Sequence, residues 1–164
     1  MGATIRSGEV ATFWRYIRSS LDRLVRLTEG LNPAELNWRP PAPQTNSLYV
    51  LTTHTLGNAE ENLLGALCGE PGQRDRDAEF RASGTTPEAI RERWRLLDAR
   101  LDTALAALDP AALDASCQHP RRGALTGREV LIIVARHAAE HLGQAELTRD
   151  LMRAAGVTPR TTTT

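Results

Sequence analysis

Residues 126–156 read TGREVLIIVARHAAEHLGQAELTRDLMRAAG and carry a complete set of helix signals. Thr126 and Glu129 have the spacing of a capping box, and Gly156 suits the C′ position with Pro159 beyond it. The run LIIV at 131–134 is β-prone alone but lies inside the longer helical pattern. With His137 as zero on a helical wheel, Val130 falls at about 20°, Ile133 at about −40° and Val134 at about 60°. On the same wheel His141 falls at about 40°, Gln144 at about −20° and Thr148 at about 20°. Two histidines, a glutamine and a threonine therefore share a face that is otherwise Val and Ile. Burying them there costs free energy unless something pairs with them. Ordinary hydrogen bonds would serve. A divalent metal is the simplest partner for two imidazoles one helical turn apart.

Three further segments repeat the helical period. Over residues 7–30, Val10, Phe13, Trp14, Ile17, Leu21, Leu24 and Val25 form an apolar stripe that stops at Gly30. A connector, LNPAELNWRPPAPQTNS, follows, and its prolines predict the absence of a regular helix. The second helix is expected to be capped by Asn46 or Ser47 and to end near Gly69. EPGQRDRDAEFRASGTT reads as loop. Thr86 as N-cap and Pro87 at the first helical position open a third helix, with a stripe of Ile90, Trp94, Leu97, Leu101, Leu105 and Leu108, that stops at Pro110. Strand signals are nearly absent. Four long helices with little else predict an all-α, four-helix bundle forming one domain over 1–160, with Thr161–Thr164 as a frayed tail.

The 20 arginines balance 20 acidic residues, and lysine is absent. This neutrality gives no electrostatic reason to expect nucleic acid or an anionic membrane as partner. No apolar run reaches the roughly 18–20 residues a membrane span needs, and MGATIRSGEVATFW lacks the apolar region of a secretory signal. A cytoplasmic protein with Cys68 and Cys117 as reduced thiols is the expectation.

His54 lies on the second helix, with Asn58 and Glu61 on its face at i+4 and i+7. That helix's apolar stripe is centred about 125° away, so periodicity does not drive His54 into the core. Residues 137–141, HAAEH, also fit the H-x-x-E-H pattern of a peptidase family. That chemistry needs a further carboxylate well downstream, for which little chain remains, and Glu140 sits about 80° off the histidine stripe. His119, in CQHPRRG before the last helix, and Cys68, about 21 Å along the second helix from His54, are poorly placed for the same ion. Gln144 has three readings: orienting His141, binding a substrate or satisfying a backbone group. Gly143 inside a helix suggests close packing. Trp14, Tyr16 and Trp94 read as core or interface, and Trp38 and Arg39 as residues that overhang a cleft.

NSLYVLTTHTLGNAEE after a Pro-rich connector, together with VARHAAEHLGQAELTR near the end, resembles the DinB-like superfamily of bacterial four-helix bundles. That superfamily is distinct from the similarly named DNA polymerase and includes thiol-dependent S-transferases. The resemblance implies an up-down-down-up helix order with long connections after helices 1 and 2. It also implies that His54, His137 and His141 bind one divalent metal, with zinc, nickel and iron all compatible with imidazole. Such an ion keeps positions open for water or substrate and lowers the pKa of a bound water or thiol. The function implied is a metal-dependent transferase moving a low-molecular-weight thiol to a small electrophile, in a bacterial stress response. Glu61 and Gln144 are the candidate catalytic residues lining the cleft, beside Asn58. A metal-dependent hydrolase and a non-catalytic metal- or ligand-binding protein are the alternatives. A homodimer is compatible with the long last helix.

Overall fold

The computed structural model describes residues 7–70 and 72–157. The expected tail, Thr161–Thr164, and Pro159 lie outside them. Four long helices make up the body. Helix α1 (Gly8–Arg26) starts where the Ser7 hydroxyl accepts from the Val10 N–H at 3.3 Å, and it buries Val10, Trp14, Ile17, Leu21, Leu24 and Val25. Helix α3 (Leu48–Ala59), capped by Ser47, runs without a break into a π-helical segment, Glu60–Leu67. Helix α5 spans Glu88–Ala107, and α6 spans Gly127–Ala154. The capping box of α6 is present with both of its halves, and Gly156 follows with φ of 70°.

Polar pairs along the helices fix their directions. Trp14 Nε1 donates to Asp102 at 2.6 Å, Arg18 to Asp98 at 2.6 Å, and Trp94 Nε1 to Asp22 at 2.7 Å, so α1 and α5 run antiparallel. Arg128 reaches back to Glu9, and Arg23 reaches Glu146, so α1 and α6 are parallel. Arg93 donates to the Thr53 carbonyl while Arg100 pairs with Glu60 and Glu70, so α3 and α5 are parallel. His54 meets His137, and Leu67 lies against Gly127, so α3 and α6 are antiparallel. The order is up-down-down-up, as the resemblance implied. The two buried tryptophans also satisfy their indole N–H groups in this way, as buried indoles must.

The connections depart from the sequence reading in four places. The proline-rich connector holds a short helix, α2 (Pro33–Asn37), because Pro33 occupies N1, where its missing N–H costs nothing. Asn32 and Glu35 complete a capping box there. The segment after α3, read as loop, contains α4 (Arg76–Arg81), capped by Asp75. The third connection holds a 3₁₀ turn (Pro110–Leu113) and a β-hairpin, with β1 (Ser116–His119) pairing antiparallel to β2 (Gly123–Thr126). Finally, α5 begins one residue later than expected, with Pro87 as the capping residue and no side-chain cap. A single turn of helix or a four-residue strand is too short to imprint a period, which is why these elements escape a pattern search.

Candidate metal centre

Three imidazoles meet between α3 and α6. His54 Nε2 lies 3.2 Å from His137 Nε2, which lies 3.1 Å from His141 Nε2. One ligand atom from each of the three falls within 4.8 Å of the others, and among the described residues this is the His/Cys/Asp/Glu group with the geometry to hold a metal. A tetrahedral ion at 2.0–2.1 Å from each nitrogen holds its ligands about 3.3 Å apart, close to the two separations seen. His54 Nδ1–H donates to Glu79 Oε2 at 3.0 Å, and His141 Nδ1–H to Gln144 Oε1 at 2.7 Å. Those bonds leave Nε2 of His54 and of His141 unprotonated. The Nε2 atoms of His54 and His141 thus present lone pairs towards His137 Nε2, a donor set that fits one shared divalent cation.

The helices place these rings differently. His137 and His141 are half-buried and sit one turn apart on α6, as the wheel predicted. His54 is only 4% exposed, contrary to the periodicity of its helix. Nearly every residue of α3 is buried, because α4 covers the side that the wheel leaves polar. Phe80 of α4 lies on the His54 ring with centroids 4.5 Å apart, and Glu79 takes its Nδ1 proton's bond. Burial and the neighbouring His141 and His54 rings push the His137 pKa down to about 3, so its ring is neutral near pH 7. Burial also lowers the pKa of His141, against the opposing effect of Gln144. His137 Nδ1 is buried with no hydrogen-bond partner among the described residues.

Glu79 is itself held by Arg74, whose Nε donates to Oε1 at 2.8 Å and Nη2 to Oε2 at 2.6 Å. Arg74 Nη2 also lies 3.2 Å from His54 Nδ1; two donors cannot bond each other, so Nη2 serves Glu79 and the His54 carbonyl instead. Beyond Arg74, the chain of ion pairs continues to Glu61 at 3.0 Å, and from Glu61 to Arg121 on the hairpin turn. Burial raises the Glu61 pKa, but bonds from Arg121 and Arg74 outweigh it and hold the carboxylate below its ordinary value. A half-open groove of about 910 Å³ borders this network, with Glu61, Arg74, Glu79, Arg93 and Arg100 among its walls.

Of the residues singled out from sequence, the three histidines come together. Gln144 joins them through His141 and is exposed. Glu61 bonds to Arg74 and Arg121, one arginine and one carboxylate away from His54. Asn58 is buried on α3, its Oδ1 without a partner among the described residues. His119 is buried in the hairpin, where its Nδ1 accepts from the Arg121 N–H at 3.0 Å, away from the ion site. Glu140 is exposed beside Arg136. Burial and Glu70 push the Cys68 thiol up to about 11, and Cys117 donates to the Leu125 carbonyl. Arg39 reaches the Phe80 carbonyl at 3.3 Å, so the connector does touch the lid formed by α4. Sequence reasoning missed Glu79, Arg74 and Phe80. The Asp75 cap before Arg76 was their one local signal.

The class so defined is an all-α bundle with a three-histidine centre, suited to one divalent ion, between its second and last long helices. A family model described as the DinB superfamily matches residues 16–145, and the chain belongs to that superfamily. Its fold is similar to the crystal structure of a DinB-like protein from Bacillus cereus, with TM-score 0.68 and 19% identity, covering 93% of this chain and 95% of that one. A conserved protein from Enterococcus faecalis is similar too, with TM-score 0.69 and 15% identity over 88% of this chain and 96% of that one. No curated protein matches the sequence. No helix among the described residues is long and apolar enough to cross a membrane.

Proposed function

We propose that this protein is a divalent-metal-dependent enzyme that transfers a low-molecular-weight thiol to a small electrophile. The convergence of three Nε2 atoms from two helices is the observation that carries the metal part of the reading. Membership in the DinB superfamily, a group that includes thiol-dependent S-transferases, supports the thiol part. His54, His137 and His141 would hold the ion as neutral ligands. When bound, that ion supplies the Lewis acidity that favours the anionic form of a thiol and leaves it nucleophilic.

The protein's own residues then divide the remaining work. His54, closed off by α4, anchors the centre from the buried side. His137 and His141 are half-exposed, so reactants approach along the α6 side, where Gln144 stands in solvent next to His141. Gln144 orients the His141 ring and offers its amide N–H₂ to an incoming acceptor atom. Glu61 acts on the centre through Arg74 and Glu79.

The test is to load the full chain with zinc or nickel and follow thiol consumption against a reactive electrophile, offering glutathione, bacillithiol and mycothiol in turn. Metal-dependent turnover that disappears in His137→Ala is expected. Turnover that proceeds equally without thiol would identify a hydrolase instead. Tight metal uptake with no turnover for any pair would leave a binding protein and refute the transferase.

A further inference from the structure

We propose that Glu79, held by Arg74 and admitted by the bare backbone at Gly57, is the positioning residue of the metal centre. It sets the orientation of the His54 ring and strengthens Nε2 as a donor. The proposal rests on the metal-binding part of the reading above and is independent of the thiol chemistry.

Among the three histidines, only His54 has an anionic partner. His141 leans on a neutral, exposed amide, and His137 Nδ1 has no partner among the described residues. A carboxylate accepting from Nδ1–H fixes the tautomer, so the Nε2 lone pair must face the other two rings. Glu79 approaches Nδ1, on the opposite edge of the ring from Nε2, so it cannot also be a ligand to the same ion. Both of its oxygens are already engaged by Arg74. The acceptor comes from neither metal-bearing helix. It is delivered by α4, in the connection between α3 and α5, across the surface of α3.

The approach is permitted by one residue. A Cβ built at Gly57 would lie 1.9 Å from Glu79 Oε1 and 2.9 Å from its Cδ, with Arg74 Nε at 3.1 Å. Position 57 is thus the seat of the carboxylate, not a flexible point in the helix. A side chain there would force the Glu79 carboxylate to shift from its place beside His54, with no histidine or charge removed. Arg74 confines the carboxylate, so it cannot simply swing aside and still bond Nδ1.

The experiment compares zinc affinity, by competition with a chromophoric chelator, for the full-length wild type, Glu79→Gln, Glu79→Ala and Gly57→Ala. The visible spectrum of the cobalt-loaded forms and the thermal midpoints of the metal-free forms accompany it. We expect affinity to fall about 10- to 100-fold in Glu79→Ala and Gly57→Ala, with a smaller loss in Glu79→Gln, which retains a neutral acceptor. The cobalt bands should shift in the same order. Unchanged affinity and cobalt spectrum in Glu79→Ala and Gly57→Ala would overturn the proposal. So would lower metal-free midpoints with affinity intact, which would make Glu79 a pin for α4 and nothing more. Failure of the wild type to take up zinc would instead remove the metal centre itself.

Discussion

At residue scale, Gly143 illustrates how a polar helix face can mislead. Its place between His141 and Gln144 suggested close packing of another helix, but a Cβ there would meet no neighbouring atom within 4 Å. With no packing role to oppose it, Gly143→Ala should stabilise the fold by about 0.5–1 kcal/mol through helix propensity. In a chain of this length that is a rise of roughly 1–4 °C in thermal midpoint. A fall in midpoint would show that the bare backbone is needed after all. Glu61 gives a second residue-scale expectation. Its pKa is lowered from 4.5, so its ion pairs stabilise the fold above that pH and are lost as the pH drops through the still lower folded value. Glu61→Gln should therefore cost about 1–3 kcal/mol near neutrality, where charged hydrogen bonds are removed. Below pH 4.5 the gap between variant and wild type should narrow, because the unfolded carboxyl takes up its proton first, and it should close once the pH passes the lower folded value. Parallel thermal melts from pH 3 to 8 would read it; a constant gap would contradict it.

At the scale of elements, α4 is the part of the molecule whose size belies its role. Six residues, Arg76–Arg81, turn His54 from a flank histidine into a buried one and supply the partner of its Nδ1. The short helix starts where Asp75 Oδ1 accepts from the Ala78 N–H at 2.8 Å. Asp75→Ala should cost about 1 kcal/mol or less globally, the usual loss for an exposed N-cap. Locally the effect should be larger, seen as faster amide hydrogen exchange over 76–81 and weaker zinc binding. Unaltered exchange there would mean that Arg74 and Phe80 dock the segment without the cap. The π-helical segment at Glu60–Leu67 belongs to this scale too. Its signature is the Cys68 N–H bonded to the Leu63 carbonyl at 3.0 Å, one residue further back than in an α-helix. A wheel drawn at constant pitch no longer applies beyond Ala59. Glu61, placed by that wheel on the His54 face, sits between Arg121 and Arg74, and Arg74 also bonds the His54 carbonyl.

At the scale of the whole molecule, the three histidines bring together α3 and α6, two antiparallel helices far apart in sequence. An ion that binds only the folded chain adds about 2.7 kcal/mol of stability at a free concentration one hundred times its dissociation constant. Zinc should thus raise the thermal midpoint by several degrees, EDTA should reverse the rise, and His137→Ala should abolish it. A midpoint indifferent to zinc would count against a shared ion. The four long helices were legible in the sequence because each is long enough to repeat its apolar period several times and to carry caps such as Ser47 and Thr126. The pair His137 and His141 was legible for the same reason, since one helix alone fixes their relation. The joining of His54 to them was implied only by family resemblance, because its own helix placed it off the apolar stripe. Tertiary structure decided the rest. Burial of His54, the bond to Glu79 and the seat at Gly57 all depend on α4 lying across α3. That contact joins residues more than a full helix apart in the chain, through an element too short to leave a period of its own.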